Sequence, residues 1–495
     1  MLIERTDSLM PSKKQQSLLL KSFLASIVFF LLAHAYAAAN LAFSGKSLAV
    51  NAATSAAMQL ETGNWLVPLY IRLRGSISAP YLVSLLSCLF LSCFVAALVF
   101  LFRLDTLPKI CSLAGIVMLN PAVTAQLCEN MLSADAVFLS LALSAFAVVL
   151  LPRFRWGWAA SAVLLAVASS LSFPTCSAGL ILLILFILIF RPEECSSVLL
   201  KGLAAQLLAW MAYAAGSFLM LRRSGVETAL SLRALLSGTL PAALAAPVRS
   251  YFSAFTAYPV PAFIITLLLV LSAVYILLKA PESPAYKACV LIFLFLIIPA
   301  LCVFPLLISS QSLQVSPVYL FFGIGCFLIL VCRSEPGRFP GCVRQAMYAC
   351  LSVLFLGQII FSNQVYLKKD LEYQSTLSAM NRVLQKLETT EGFVPGRTKV
   401  ALLGTIEESA VSSPHKGFEH LETFEAASHR FAAYSENLNT AYFWQIMGYP
   451  LNLVSDFERD QIAKDPRASA LPSFPSPGCT AWLDDVLVLR LSPAQ

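Results

Sequence analysis

The sequence predicts an all-α, polytopic membrane protein of about eleven transmembrane helices, followed by a small C-terminal α/β domain outside the cytoplasm. Three observations carry that expectation. Of the 495 residues, 58% are hydrophobic and only 12% are charged, with a mean hydropathy of +0.76; a soluble domain carries about twice that charged share. The apolar runs are of membrane length for a helix and lack the alternation of a barrel strand. Charge is also divided along the chain. Residues 1–362 hold 22 Lys and Arg against 11 Asp and Glu, a net of +11, whereas residues 363–495 hold 12 against 16, a net of −4. These two stretches are taken as the membrane part and a soluble tail.

The apolar runs are 18–43, 80–102, 110–127, 132–151, 157–172, 176–190, 198–221, 258–278, 289–308, 317–332 and 341–361, of which the fifth, sixth and tenth are short. The first follows "KKQQ" and is too long for the apolar part of a signal peptide, so it reads as a retained anchor. Asn120-Pro121 is expected to bend or end the third span. Ser133 is expected to cap the fourth, with Asp135 favoured by the helix dipole. The 13 cysteines mostly lie inside apolar runs, as Cys88, Cys93, Cys289 and Cys326 do, and read as small core residues.

Basic residues orient the spans. With the N-terminus in the cytoplasm, the inner side receives Lys13, Lys14, Arg103, Lys109, Arg153, Arg155, Lys279 and Lys287, among others. The outer side receives fewer: Lys46, Arg72, Arg74, Arg222, Arg223, Arg233 and Arg249. An odd number of spans then leaves the tail outside. Within it, residues 365–388 have helical periodicity, "TKVALLG" (398–404) reads as a buried strand, and "AWLDDVLVLRL" (481–491) as a strand pair.

Topology narrows the polar residues that bear chemistry. Only Glu61, Glu129, Asp135 and Glu227 are acidic and outer among residues before 362. The two polar outer segments are 44–79, which contains "QLETGNWLVPLYIRLRG", and 222–250. Both suit helices lying flat in the interface. Arg72 and Arg74 either grip lipid phosphates bidentately or snorkel to headgroups. Glu61 is either a general base tuned by partial burial or a solvated loop residue. Asp135 is either a second carboxylate of a cleft shared with Glu129 or the helix-terminal residue described above. No nucleotide-cradling glycine loop, no spaced histidine set and no separate basic patch for nucleic acid is evident.

The order of elements resembles the integral membrane glucosyltransferases of the Gtr type. The stretches that carry the likeness are "GNWLVPLYIRLRGSISAPYLVSLLS", "LNPAVTAQLCENMLSADAVFLSLALS", "SNQVYLKKDLEYQSTLSAMNRVLQKL" with "KVALLG", and the terminal "DDVLVLRL". The resemblance implies a GT-C-like fold and transfer of a sugar, glucose first, from a polyprenyl phosphate to a surface glycan such as O-antigen. The setting would be the outer face of a bacterial plasma membrane. It implies Glu61 and Asp135 as catalytic carboxylates. Lys46, Trp65, Arg72, Arg74, Glu129, Arg222 and Arg223 would contact substrate. It implies no cofactor and no metal, with the lipid bilayer, a small flippase and a donor synthase as partners. Where the family tends to have an acidic residue, Gly-Arg-Trp, Tyr-Gln and Pro-Arg, this chain has Asn51, Gly63-Asn64-Trp65, Pro174-Thr175 and Pro317-Val318, and the arginine usual just before Asp135 is absent. That pattern keeps a non-catalytic accessory relative in view. A lipid-linked glycan flippase or solute transporter is the third reading, although such proteins tend to place ionisable residues mid-span.

Overall fold

The computed structural model describes residues 12–40, 63–75, 79–129, 131, 133–154, 156–190, 195–224, 260–279, 282–309, 320–333, 341–406, 417–421, 424, 444 and 447–492. The chain is mostly helical and ends in a small sheet. In chain order the helices are α1 (Lys13–Ala39), α2 (Val67–Leu73), α3 (Pro80–Leu101), α4 (Leu107–Met118), α5 (Pro121–Glu129), α6 (Ala134–Leu150) and α7 (Gly157–Leu171). A one-turn 3₁₀ segment (Phe173–Thr175) precedes α8 (Ala178–Phe190) and α9 (Cys195–Ser224). Then come α10 (Val260–Lys279), α11 (Pro284–Ile292), a π turn (Phe293–Ile297), α12 (Ile298–Ser309), α13 (Leu320–Arg333) and α14 (Gly341–Glu388).

Each of the eleven apolar runs contains a helix. Seven helices among the described residues are long and apolar enough to cross a membrane. They lie at Lys13–Ala39, Pro80–Leu101, Leu107–Glu129, Phe173–Phe190, Ser196–Arg223, Pro284–Cys302 and Gln345–Glu388. Four more apolar helices, including Ala134–Leu150 and Gly157–Leu171, are shorter. The chain is thus a multi-pass, membrane-associated helical protein.

Two compact units divide inside α14, between Val365 and Tyr366. In the first, α1 packs on α3 and α4, α3 on α6, α6 on α7, and α7 on α9. Small residues let these helices approach closely: Ser84, Ser87, Ala96 and Ala97 of α3, and Ser140, Ser144 and Ala145 of α6, are all buried. Lateral hydrogen bonds add to the packing. The Ser161 hydroxyl of α7 donates to the Ala147 carbonyl of α6 at 2.6 Å, and His34 of α1 meets the Met118 carbonyl at the end of α4 at 2.8 Å. That carbonyl belongs to the last turn of a helix and has no partner within it. The break after α4 is built by Asn120 and Pro121. The Asn120 side chain accepts from the Ala122 N–H at 2.9 Å, and Pro121 occupies the first helical position, where no N–H is needed.

Two details differ from expectation. Ser133 stands at the N-cap of α6 but its side chain makes no cap hydrogen bond; its backbone, at φ −134 and ψ 9, is outside the extended conformation usual for a capping residue. Cys289 is exposed on α11 rather than buried in a core.

The second unit carries the end of α14 and a four-stranded sheet: β1 (Lys399–Leu403), β2 (Asn452–Leu453), β3 (Thr480–Leu483) and β4 (Val486–Arg490), ordered β2-β1-β4-β3. β1 runs parallel to β2 and β4, while β3 and β4 form an antiparallel hairpin turned at Asp484-Asp485. β4 is buried throughout, as a strand covered on both faces must be. Ala401, Leu403, Val454, Ala468, Val486 and Val488 form its core. Arg490 is buried at its end, where its guanidinium donates to the carbonyls of Ser469, Leu471 and Ser492 and so has acceptors for its charge. On α14 the buried stripe beyond position 365 is more polar than periodicity suggests. It includes Lys369, Glu372 and Thr376 as well as Met380 and Val383, and Lys368 pairs with Glu372 at 2.5 Å.

Candidate functional site

The segment Gly63–Gly75 is folded against α6, α7, α9 and the 3₁₀ turn, and its own sequence supplies the contacts. Its backbone enters under α9, where the Tyr213 hydroxyl donates to the Gly63 carbonyl at 2.9 Å. The Asn64 side chain accepts from the Phe173 N–H at 2.9 Å, satisfying the first residue of the 3₁₀ turn. The Leu66 N–H then donates to the Ser170 carbonyl at the end of α7 at 3.1 Å. Trp65 packs with Phe173, Cys176 and Tyr213. It lies over Gly216, where a Cβ would stand 2.5 Å from the Trp65 ring. No larger residue at position 216 leaves room for that ring.

Pro68, the second residue of α2, lies in the first turn, where a missing N–H costs nothing. One turn on, Tyr70 and Arg74 stand four residues apart, the spacing that puts two side chains on one helix face. Both reach Asp135 in the first turn of α6. The Tyr70 hydroxyl donates to Oδ2 at 2.7 Å, and Arg74 Nη1 lies 2.6 Å from both Oδ1 and Oδ2. The Arg74 guanidinium also stands over the Tyr70 ring, 5.8 Å from its centre. The pair is dry: the Asp135 side chain is 0% exposed and that of Arg74 3%. Burial, and then the Asp135 charge, push the Tyr70 phenol above its ordinary value, so it remains a donor. Beneath the cluster, Val67 packs against Ala136 and Leu171.

This arrangement answers what the arginines of "YIRLRG" do. Arg74 neither snorkels nor faces open lipid; it neutralises Asp135. Arg72, two residues earlier and therefore on another face of α2, is exposed. Both Asp135 oxygens are thus engaged from α2, and the carboxylate is shut off from solvent. Glu129 is half-buried at the end of α5, and Arg222 and Arg223 are exposed at the end of α9. They lie about 9 Å further along α9 than Gly216, at the rise of an α-helix. Glu61 and Lys46 lie outside the described residues. Tyr70, Asn64 and Tyr213 are the contributors that residue-type reasoning passed over. The Tyr70–Arg74 spacing was the available sign for one of them, and nothing local points to Asn64 or Tyr213.

No family model, no curated protein and no solved structure matches this chain.

Proposed function

We propose that the chain is a polyprenyl-phosphate-dependent glycosyltransferase of the GT-C kind, acting on the outer face of a bacterial plasma membrane. In this reading eleven spans put the N-terminus inside and the C-terminal unit outside. Sugar, glucose first, passes to a surface glycan hydroxyl. The acceptor oxygen attacks the anomeric carbon as its proton goes to a carboxylate. The carbon–oxygen bond to phosphate breaks with inversion, and polyprenyl phosphate leaves.

The observation that carries the reading is the locked α2. Tyr70 and Arg74 fix this short helix through Asp135, while Arg72 on the same helix stays exposed. That is a rigid mount for a cation suited to a phosphate. Arg222 and Arg223 supply further exposed positive charge at the end of α9. Glu61, two residues before the pinned Gly63, is the general base we favour, with Asp135 positioning the segment rather than taking the proton.

The test is transfer of labelled glucose from polyprenyl-phosphate-glucose to glycan in membranes carrying wild type, Glu61→Gln, Asp135→Asn or Arg72→Ala. Transfer by wild type should vanish in Glu61→Gln while the protein stays folded. In Asp135→Asn it should fall in step with the amount of folded protein. Absence of transfer by folded wild type, with several donor sugars tried, would move the reading to a non-catalytic relative. The pairing and burial of Asp135 are the observation favouring that second reading.

A further inference from the structure

A pocket in the first unit lies apart from the Asp135 cluster, between α4, α10, α13 and α14. It encloses about 920 Å³ of empty space, counting its open mouth. None of its lining residues is Lys, Arg, Asp, Glu or His. Its walls are apolar except for Asn120, Thr266, Cys326 and Gln358.

Gln358 sets this pocket apart from a gap between greasy helices. The residue is 5% exposed, and its Oε1 is buried without a hydrogen-bond partner among the described residues. A buried amide oxygen left unpaired is costly, and native structures rarely leave one so. The level of Gln358 can be read from its neighbours. A Cβ at Gly115 of α4 would meet the Phe355 ring of α14 at 2.4 Å, and Thr124 bonds to Ser362 at 2.8 Å. The two helical stretches therefore advance side by side, and Gln358 stands level with the break at Asn120. The Gln358 amide and the helix break at Asn120 thus stand together in the lining, and the rest of the wall is apolar but for Thr266 and Cys326.

We propose that this pocket binds a long-chain alcohol, its hydrocarbon tail in the apolar slot and its hydroxyl on the Gln358 amide. The uncharged lining gives a phosphate or ammonium headgroup nothing to pair with. An ester carbonyl of a bilayer lipid accepts hydrogen bonds but cannot give one to Oε1. A hydroxyl does both, and so satisfies the amide whichever way it is turned. The site is independent of the glycosyl-transfer reading.

The experiment uses the full chain in nanodiscs and a hexadecanol probe carrying a mid-chain diazirine and an alkyne tag. Crosslinks should map to peptides of α13 and of the Leu351–Gln358 stretch. Unlabelled hexadecanol should compete roughly fivefold better than hexadecane, the worth of one hydrogen bond. Gln358→Leu should bring the two competitors to parity while labelling persists, and Cys326→Phe, which fills the slot, should abolish it. Crosslinks confined to other helices overturn the proposal. So does equal competition by alcohol and alkane in wild type, which would mark a recess for bilayer chains only. A preference surviving Gln358→Leu overturns it too. The wild-type comparison stands even where a variant fails to fold, as its thermal midpoint would reveal.

Discussion

Arg74 and Asp135, 61 residues apart, share one buried contact in which a single guanidinium nitrogen lies 2.6 Å from both carboxylate oxygens. Each charge is tolerable there only because of the other. Arg74→Ala strands a buried carboxylate and should destabilise the protein by about 3–5 kcal/mol. The double variant Arg74→Met with Asp135→Leu should recover most of that loss, since an apolar pair of similar size is often neutral. Thermal midpoints of wild type, Arg74→Met, Asp135→Leu and the double variant in detergent check this; additive losses would show that the two residues are not coupled.

Tyr70→Phe removes one donor to Asp135 and keeps the ring against Arg74. The expected cost is about 1–2 kcal/mol, the range for a bond to a charged group. In the transfer assay the variant should keep its affinity for donor, because the phenol faces the carboxylate and not a ligand. A collapse of turnover at unchanged stability would give Tyr70 a catalytic part instead.

Gly216→Ala should destabilise the first unit by driving the Trp65 ring from its seat, given the 2.5 Å approach to a Cβ there. Overpacking of this kind costs about 1–3 kcal/mol. With Trp65→Ala already in place, the same substitution should be nearly neutral. Equal cost in both backgrounds would mean that Trp65 is not what the glycine accommodates.

Gly404, at φ +80, closes β1 where a Cβ would meet the Ser492 hydroxyl oxygen at 2.1 Å. Gly404→Ala therefore meets both a clash and a left-handed backbone. The expected loss is about 1–3 kcal/mol. Adding Ser492→Gly removes the clash with the hydroxyl but not the backbone term, so rescue should be partial. Chemical unfolding followed by tryptophan fluorescence separates the two, and full rescue would show that the backbone conformation costs little.

Tyr449 donates to Glu388 at 2.8 Å. Burial first, and then that carboxylate, push its phenol up to about 12. A group whose value is raised on folding adds stability that is whole below its unfolded value, about 10 for Tyr. That stability is lost as pH climbs through the folded one. Between about pH 10 and 12 the wild type should lose stability faster than Tyr449→Phe. Parallel midpoint curves for the two would remove Tyr449 from the alkaline response.

Much of this is legible in the sequence. Apolar length marked the helices, because burying a backbone in hydrocarbon leaves little choice but a helix. Asn120-Pro121 marked a break because proline lacks the N–H that a continuing helix needs. The "LDDVLV" stretch marked a hairpin by its two apolar arms around a polar pair. What did not show was partnership at a distance. Asp135 read as a helix-terminal residue or a cleft carboxylate because its neighbours in sequence were Ser133 and Glu129, while its true partners sit in α2. Lys368 and Glu372 stand four residues apart on one face of α14 and are buried as a pair, and nothing in the helical periodicity of 365–388 marked that face as the buried one. The sequence also divided apolar runs by composition, whereas the cores of α6 and α7 are held by serines that composition counts as polar.

The long interval between Arg74 and Asp135 bears on how the chain is made. Ribosomes add about 5–20 residues per second, so Arg74 emerges roughly 3–12 seconds before the residue that neutralises it. In that interval the nascent chain carries an arginine whose partner does not yet exist, and the segment around it waits in water or among headgroups. The α2 segment therefore docks late, only once α6 and α7 have been threaded into place, and a ribosome arrested before Asp135 would leave it undocked.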